Sequence, residues 1–163
     1  MVRFADHRKF EGIMKSYLTH LECTLCGVTQ DSSLIHRLCP ECGRVLYPRY
    51  DLTKAAKEID RNIFKDRHPS MWRYFELLPI IDQKNIVTLG EGFTPIFEIK
   101  NVANRLGCEK LFVKDESLNP TASFKARGLS SAVSKASEFG ISKITIPSAG
   151  NAAGAMTAYA AKA

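Results

Sequence analysis

The sequence has no long apolar run and no region dominated by one sign of charge. No apolar stretch approaches the roughly 20 residues that span a bilayer, and the N-terminal MVRFADHRKFEG is too charged for a secretory core. The net charge of +6 is evenly spread, with 12 basic and 9 acidic residues in 1–70 and 11 and 8 in 71–163. We therefore expect a cytoplasmic protein that binds neither membrane nor nucleic acid.

Internal repeats, low-complexity segments and the even cysteine count of a disulfide framework are also missing. Four of the five cysteines fall in two close pairs and Cys108 stands alone. This pattern suits a metal site in a reducing compartment better than a set of disulfides. We expect Cys108 to be a core thiol and not a nucleophile, because a free cysteine usually packs as a small apolar residue.

The paired cysteines follow the spacing Cys23-x2-Cys26-x12-Cys39-x2-Cys42, and a glycine follows the second thiol of each pair. Two residues between thiolates let both sulfurs of one turn reach a single tetrahedral ion. Two such turns would complete a closed, structural Zn²⁺ site with no open position for catalysis. Two disulfides, four unrelated buried cysteines, or a ligand role for His20 or His36 remain as alternatives.

The chain divides by pattern into four segments. Residues 1–21 form a lead-in with apolar residues at helical spacing or a floppy extension, 22–50 a zinc-ribbon-like module, and 51–84 a helical connector. Within the connector, YDLTKAAKEIDRNIF predicts a helix that begins near Asp51 or Thr53. A segment around Trp72, Tyr74 and Phe75 is expected to be packing surface.

Residues 85–163 alternate between strand and helix signals. KLFVKDE predicts a strand, VANRLGC a helix ending at Gly107, and SFKARGLSSAVSKASEFG a helix capped by Ser123 and closed by Gly140. A strand at Ile144–Ile146 and an Ala-rich helix follow. This order predicts a right-handed βαβ unit on a parallel sheet.

Two strand-to-helix connections carry candidate ligand groups. In NPTASFKARG, the basic Lys125 lies close to a helix N-terminus, where it opposes the helix dipole. In PSAGNAAGA, Gly150 permits an unusual backbone angle and the free amides of the next helix can hold an anion. A lysine beside one connection and an anion cradle in its neighbour suit an aldehyde cofactor and a carboxylate-bearing substrate.

The longer motifs resemble the threonine synthase family, which are pyridoxal 5′-phosphate (PLP) enzymes of the tryptophan-synthase-β-like fold type. The resemblance rests on KDESLNPTASFKARGLSSAVSKA, PSAGNAAGAMTAYAAKA and LGEGFTPI, and extends to SYLTHLECTLCG, CPECG, RYDL and PSMWRYFELLP. It covers the chain from Ser16 onward. The implied fold class is α/β, with the zinc-ribbon-like module followed by the start of a parallel αβα, fold type II PLP domain in residues 85–163.

The resemblance also implies roles for individual residues. Lys125 would bind the cofactor as an imine, whose charge the cofactor's phenolate offsets, and would act as general base when released. Phe124 would lie beside the cofactor and Asn151 would hydrogen-bond its 3′ oxygen. The substrate carboxylate would be bound by Ser148, Ala149, Gly150 and Ala152. A helix cap and a turn residue are the structural alternatives for Ser148 and Asn151.

The implied reaction converts O-phospho-L-homoserine and water to L-threonine and phosphate, with a homodimer expected at full length. Arg127 could bind the substrate phosphate or be structural. Relatives commonly carry glycine where this chain has Ala122. The family's phosphate-cupping Gly-rich loop lies beyond these 163 residues, so we expect them to be an N-terminal fragment, an incomplete chain or one piece of a split enzyme, inactive alone. Alternatives are a cysteate synthase-like enzyme on another phosphorylated amino acid, or a zinc-ribbon binding module.

Overall fold

A computed structural model describes residues 14–163, which form two compact units. The first unit contains residues 14–68 and Trp72–Asn85, and the second contains Pro69–Met71 and Ile86–Ala163. Within the described part of the chain, no helix combines the length and apolarity needed to cross a membrane.

A three-stranded antiparallel sheet organises the first unit. Its central strand β1 (Leu18–Cys23) pairs with β2 (Thr29–Gln30) on one side and with β3 (Leu46–Tyr50) on the other. The predicted lead-in lies outside the described residues up to position 13. Its helical spacing is wrong over Leu18–Leu21, because these residues pair with strands on both sides and satisfy their backbone groups across the sheet.

Two short helices follow β3. Helix α1 (Leu52–Glu58) is capped by Asp51, whose carboxylate accepts a 2.8 Å hydrogen bond from the Lys54 amide, which confirms the predicted start. The predicted helix is nevertheless broken, since Ile59 is extended and α2 (Ile63–Asp66) begins afresh.

Two 3-10 helices lie after α2. They span Met71–Leu77 and Gln83–Asn85. Trp72 and Phe75 are fully buried, as expected for packing residues, whereas Tyr74 is half exposed.

The second unit contains an antiparallel pair of strands and two longer helices. Strands β4 (Ile96–Glu98) and β5 (Phe112–Lys114) flank helix α3 (Lys100–Leu106), which ends at Gly107 with φ +67° as predicted. Helices α4 (Lys125–Glu138) and α5 (Asn151–Lys162) pack around one apolar cluster. Its buried members are Val87, Ala126, Val133, Ala155 and Tyr159.

The predicted parallel sheet does not form among residues 14–163. Both sheets there are antiparallel, and Ile144–Ile146 forms no strand, although the apolar composition of this segment predicted one. A strand exists only when a neighbour completes its hydrogen-bond ladder, and no described segment pairs with residues 144–146. Instead, Ile144 and Ile146 line a groove beside Leu129, Val133 and Met156.

Candidate functional site

Four cysteine sulfurs converge at the end of the three-stranded sheet. The Sγ atoms of Cys23, Cys26, Cys39 and Cys42 all lie within 4.8 Å of one another. Three of the separations are 3.3 Å between Cys23 and Cys42, and 3.5 Å from Cys26 to Cys39 and to Cys42. Thiolates around one tetrahedral zinc at about 2.3 Å would be about 3.8 Å apart, so the cluster fits this ion.

The two cysteine turns have the same backbone construction. Cys23 donates its amide to Val28 O at 2.9 Å, and Cys39 donates to Arg44 O at 2.8 Å, five residues ahead in each case. Gly27 and Gly43 have φ values of +74° and +68° and end the two turns in the left-handed region. This explains the glycine after the second thiol of each pair.

Backbone N–H groups favour the thiolate form of Cys23. The amides of Cys26 and Leu25 lower the pKa of Cys23 to about 6. Leu25 N lies 3.4 Å from the Cys23 sulfur. Amides pointing at sulfur stabilise the charged form, which is the form that binds a metal.

The other cysteine and histidine predictions are also resolved. All five thiols are free, which excludes the disulfide alternative. The cluster consists of the four cysteines and contains neither His20 nor His36. His36 Nε2 instead lies 2.8 Å from Asp31 O. The prediction that Cys108 is a core thiol is wrong: it is exposed, because it directly follows the helix-ending Gly107.

Lys125 is the first residue of α4 and is half buried. Its ammonium lies 4.2 Å from the centre of the Phe124 ring, which is itself 58% exposed. A cation held over an aromatic face is stabilised electrostatically, which partly offsets its unfavourable place at a helix N-terminus. The amine and the ring therefore form one accessible group at the start of the helix.

The predicted Ser123 cap is wrong. Phe124 occupies the N-cap position without a side-chain cap bond, and α4 begins one residue later than the motif suggested. The hydroxyls of Ser123 and Thr121 are buried and have no hydrogen-bond partner in the described residues. Buried hydroxyls normally have partners, and these two lie just before Lys125, so this connection offers donors for a polar group. These donors and the amine fit a phosphorylated aldehyde cofactor.

Arg127 is held by a carboxylate. Its Nε and Nη2 atoms lie 2.6 and 2.8 Å from the two oxygens of Glu116, which also accepts from Thr94 and from Asn119. The Arg127 guanidinium, with help from these donors, lowers the pKa of Glu116 to about 2. This bidentate pair supports the structural role for Arg127 and fixes the first turn of α4 on the preceding connection.

Ala122 has a conformation that favours glycine. Its φ is +54°, in the left-handed region where a Cβ crowds the following carbonyl. The buried Asn119 holds this turn, since its carbonyl accepts from the Ala122 amide at 2.8 Å and its side-chain oxygen accepts from Gly92 N at 3.0 Å. A glycine at this position would adopt the same backbone conformation without a Cβ.

The second connection is open and leads directly into α5. Ser148, Ala149, Gly150 and Asn151 are exposed, and Ala152 is half buried. The Ser148 hydroxyl accepts from Gly150 N at 3.2 Å, which folds the connection into a turn. Gly150 is the N-cap without a side-chain cap bond, so the first amides of α5 have no side-chain acceptor and suit an anion. Ala126, in the first turn of α4, and Ala155, in the second turn of α5, pack in one buried cluster.

The motif LGEGFTPI contributes a buried carboxylate that the sequence analysis did not single out. Glu91 is fully buried and accepts from Leu89 N at 3.0 Å, Ser130 Oγ at 2.6 Å and Tyr159 OH at 2.7 Å. Burial and the hydrogen bond to Glu91 strongly raise the pKa of Tyr159. The sequence does carry a signal for this buried carboxylate: an acid between two glycines inside an apolar stretch. Such a carboxylate needs hydrogen-bond donors once it is buried.

Comparisons with known proteins agree with the motifs. Residues 87–163 match the family described as "Pyridoxal-phosphate dependent enzyme". The chain is 38% identical over 140 residues to a threonine synthase of Methanocaldococcus jannaschii, covering 86% of this chain and 34% of that protein. The threonine synthases of Methanosarcina acetivorans and Halalkalibacterium halodurans are 38% and 43% identical over 144 and 99 residues, covering 88% and 58% of this chain and 35% and 28% of theirs. The chain thus spans about a third of the length of these relatives.

Proposed function

We propose that this chain, which is a PLP-dependent, threonine synthase-like N-terminal portion, supplies the cofactor lysine and the substrate-carboxylate site of a threonine synthase. The reaction would convert O-phospho-L-homoserine and water to L-threonine and phosphate. The observation that carries the proposal is the half-buried Lys125 amine at the start of α4, together with the exposed turn that starts α5, on two helices that pack against one apolar cluster. The first group suits an aldehyde cofactor and the second an anionic substrate.

PLP, when bound, would supply the electron sink for the reaction. The chain's own residues would do the rest. Lys125 would hold the cofactor covalently and, once released, would move protons at the substrate carbons as a general base. Phe124 would lie beside the cofactor, Asn151 would donate to its 3′ oxygen, and the Ser148–Ala152 turn would bind the substrate carboxylate through a hydroxyl and backbone amides.

The first experiment tests the lysine. The full-length gene product would be loaded with PLP, reduced with borohydride and mapped by peptide mass spectrometry. We expect the label on Lys125, and its loss together with activity in Lys125→Ala. Lys100→Ala is the matched control, since the Lys100 side chain is 77% exposed in the same unit. A label on another lysine in the wild-type protein would contradict the proposal.

The substrate is tested separately. A cysteate synthase-like enzyme would use the same lysine on a different phosphorylated amino acid, so the labelling experiment cannot distinguish the two. Assays with O-phospho-L-homoserine, and with O-phospho-L-serine plus sulfite, each following phosphate release and the amino-acid product, would do so. Threonine and phosphate formed from the first substrate support the threonine synthase assignment, and turnover of the second mixture alone overturns it.

We further propose that Cys23, Cys26, Cys39 and Cys42 hold a structural Zn²⁺. Four thiolate ligands leave no open coordination position, so this ion would stabilise the module and take no part in the reaction. The clustered sulfurs and the matching turns support this role. A zinc-ribbon interaction module would instead need a free basic, aromatic face, but Arg49 is paired with Glu22 and stacks on Tyr47.

A further inference from the structure

The Glu91 carboxylate lies between the two helices that carry the proposed cofactor and substrate groups. One oxygen, Oε1, lies 2.6 Å from the Ser130 hydroxyl of α4, whose single proton is shared with Val87 O at 2.7 Å. The other, Oε2, accepts from the Tyr159 hydroxyl of α5, 68 positions away in sequence. Ser130 lies five residues after Lys125, and Tyr159 lies eight after Asn151.

The same carboxylate is fixed to its own loop. Oε2 also accepts from Leu89 N at 3.0 Å and from the Thr88 hydroxyl at 3.1 Å, and Glu91 O accepts from Met71 N at 2.8 Å. A Cβ on the next residue, Gly92, would lie 2.5 Å from Met71 N, so no side chain fits there and the loop has little freedom. A rigidly held carboxylate can therefore define where its donors lie.

The surroundings make these hydrogen bonds consequential. Glu91, Ser130 and Tyr159 are fully buried, against a cluster that contains Ala126, Val133 and Ala155. In such a low-dielectric setting, a charge-assisted bond is stronger than its neutral counterpart, and a donor that loses its partner is costly. Helix α4 is also tied to the backbone of Val87 through Ser130 and Ser134, whereas the side chain of Tyr159 in α5 is tied to this loop by its hydrogen bond to Glu91.

We propose that Glu91 is a positioning residue that sets α4 and α5 relative to each other, by holding Ser130 and Tyr159 on the two oxygens of one carboxylate. Its effect on catalysis rests on the proposed function, because it would align Lys125 with the Ser148–Ala152 turn. Its effect on the helices does not depend on that function. Measurements without cofactor therefore separate the two.

The chain offers matched variants. Tyr159→Phe removes only the bond from α5, whereas Thr88→Ala removes a bond to the same oxygen from within the loop. Glu91→Ala removes every bond to the carboxylate. Glu91→Gln keeps the shape, and its amide can turn its oxygen toward the Oε2 donors and its NH2 toward Ser130.

Hydrogen exchange in the cofactor-free, full-length gene product is the test. Tyr159→Phe should speed exchange about five-fold at amides 154–160 of α5, the equivalent of about 1 kcal/mol for one hydrogen bond, and leave α3 unchanged. Glu91→Ala should also speed exchange at amides 126–134 of α4, by a smaller factor because Val87 still holds Ser130 and Ser134, and Glu91→Gln should restore most of the protection. Thr88→Ala should affect neither helix. Equal acceleration in α3, α4 and α5, or equal effects of Tyr159→Phe and Thr88→Ala, would overturn the proposal.

A kinetic measurement on the loaded enzyme extends the test. Tyr159→Phe should raise KM for the amino-acid substrate more than it lowers kcat, because α5 begins at the carboxylate turn. Glu91→Gln should retain a KM near that of the wild type. If the exchange pattern is as expected but borohydride reduction does not attach the cofactor to Lys125, the helix-positioning role stands and the proposed function fails.

Discussion

The guanidinium of Arg127 and the carboxylate of Glu116 form a two-pronged ion pair, with Nε–Oε2 at 2.6 Å and Nη2–Oε1 at 2.8 Å. Thr94 and Asn119 donate to the same carboxylate at 2.6 and 3.0 Å. Four hydrogen bonds to one carboxylate join the loop before β4, the turn before α4 and α4 itself. Lys125, two positions before Arg127, therefore lies on a backbone segment that these bonds hold in place.

Glu116→Gln should destabilise the protein by about 2 kcal/mol at pH 7, since it removes the charge from a half-buried, multiply bonded group. The folded-state pKa of Glu116, about 2, lies below its usual value of 4.5. The stabilisation is therefore fully present above about pH 4.5 and is lost as the pH falls toward 2. Denaturant unfolding from pH 7 to pH 3 should show the deficit of the variant shrinking. Glu109→Gln, on the exposed surface, should show no such change, and a deficit in Glu116→Gln that is constant with pH would contradict the ion-pair interpretation.

Gly92→Ala should destabilise the protein more than Gly90→Ala. Both glycines have positive φ, +97° and +92°, so a side chain strains the backbone at either. Only at Gly92 would the new Cβ meet another atom, 2.5 Å from Met71 N, whereas nothing lies within 4 Å at Gly90. We expect a difference of about 2 kcal/mol in the free energy of unfolding, typical of overpacking. Equal losses would mean that the Met71 segment moves aside freely.

The positions of helices and strands could be predicted where a local signal fixes them. Asp51 starts a helix through its side chain and Gly107 ends one through its backbone, and both were identified from the sequence. The paired cysteines are likewise a local pattern, and their convergence followed. The segment Ile144–Ile146 failed as a strand because strand formation depends on a distant partner, which a local pattern cannot reveal.

The motifs of the candidate site are local in the same way. Lys125 and the Ser148–Ala152 turn are contiguous motifs at helix starts, and the two helices pack against one apolar cluster, while the roles of these residues stay predictions. Glu91 and Tyr159 were missed because their contact joins residues 68 apart. Ser123 was assigned as a cap from its residue type, but the turn at Ala122 shifts the helix start and leaves this hydroxyl without its expected bond.

Ala122→Gly should stabilise the fold by about 0.5–1 kcal/mol. A left-handed residue with a Cβ costs roughly 1–2 kcal/mol, and the extra freedom of glycine in the unfolded chain returns part of that gain. Gly128→Ala should also stabilise, for the opposite reason, because Gly128 lies within α4 and nothing lies within 4 Å of its added Cβ. Thermal unfolding would measure both. A destabilised Ala122→Gly would show that the methyl group makes packing contacts that outweigh its strained backbone.

The four-cysteine module should bind about one zinc per chain, measurable by elemental analysis of protein purified without added metal. Removing zinc with a chelator should unfold this module, because the free energy of binding four sulfur ligands, which lie within 4.8 Å of one another, is lost with the ion. Cys26→Ser should lose the zinc, and Cys108→Ser should keep it, since Cys108 is exposed and outside the cluster. Retention of stoichiometric zinc in Cys26→Ser would contradict the four-cysteine assignment. If the chelator-treated protein keeps its full stability, the ion has no structural role. Four ligands also leave no open coordination position for a catalytic role.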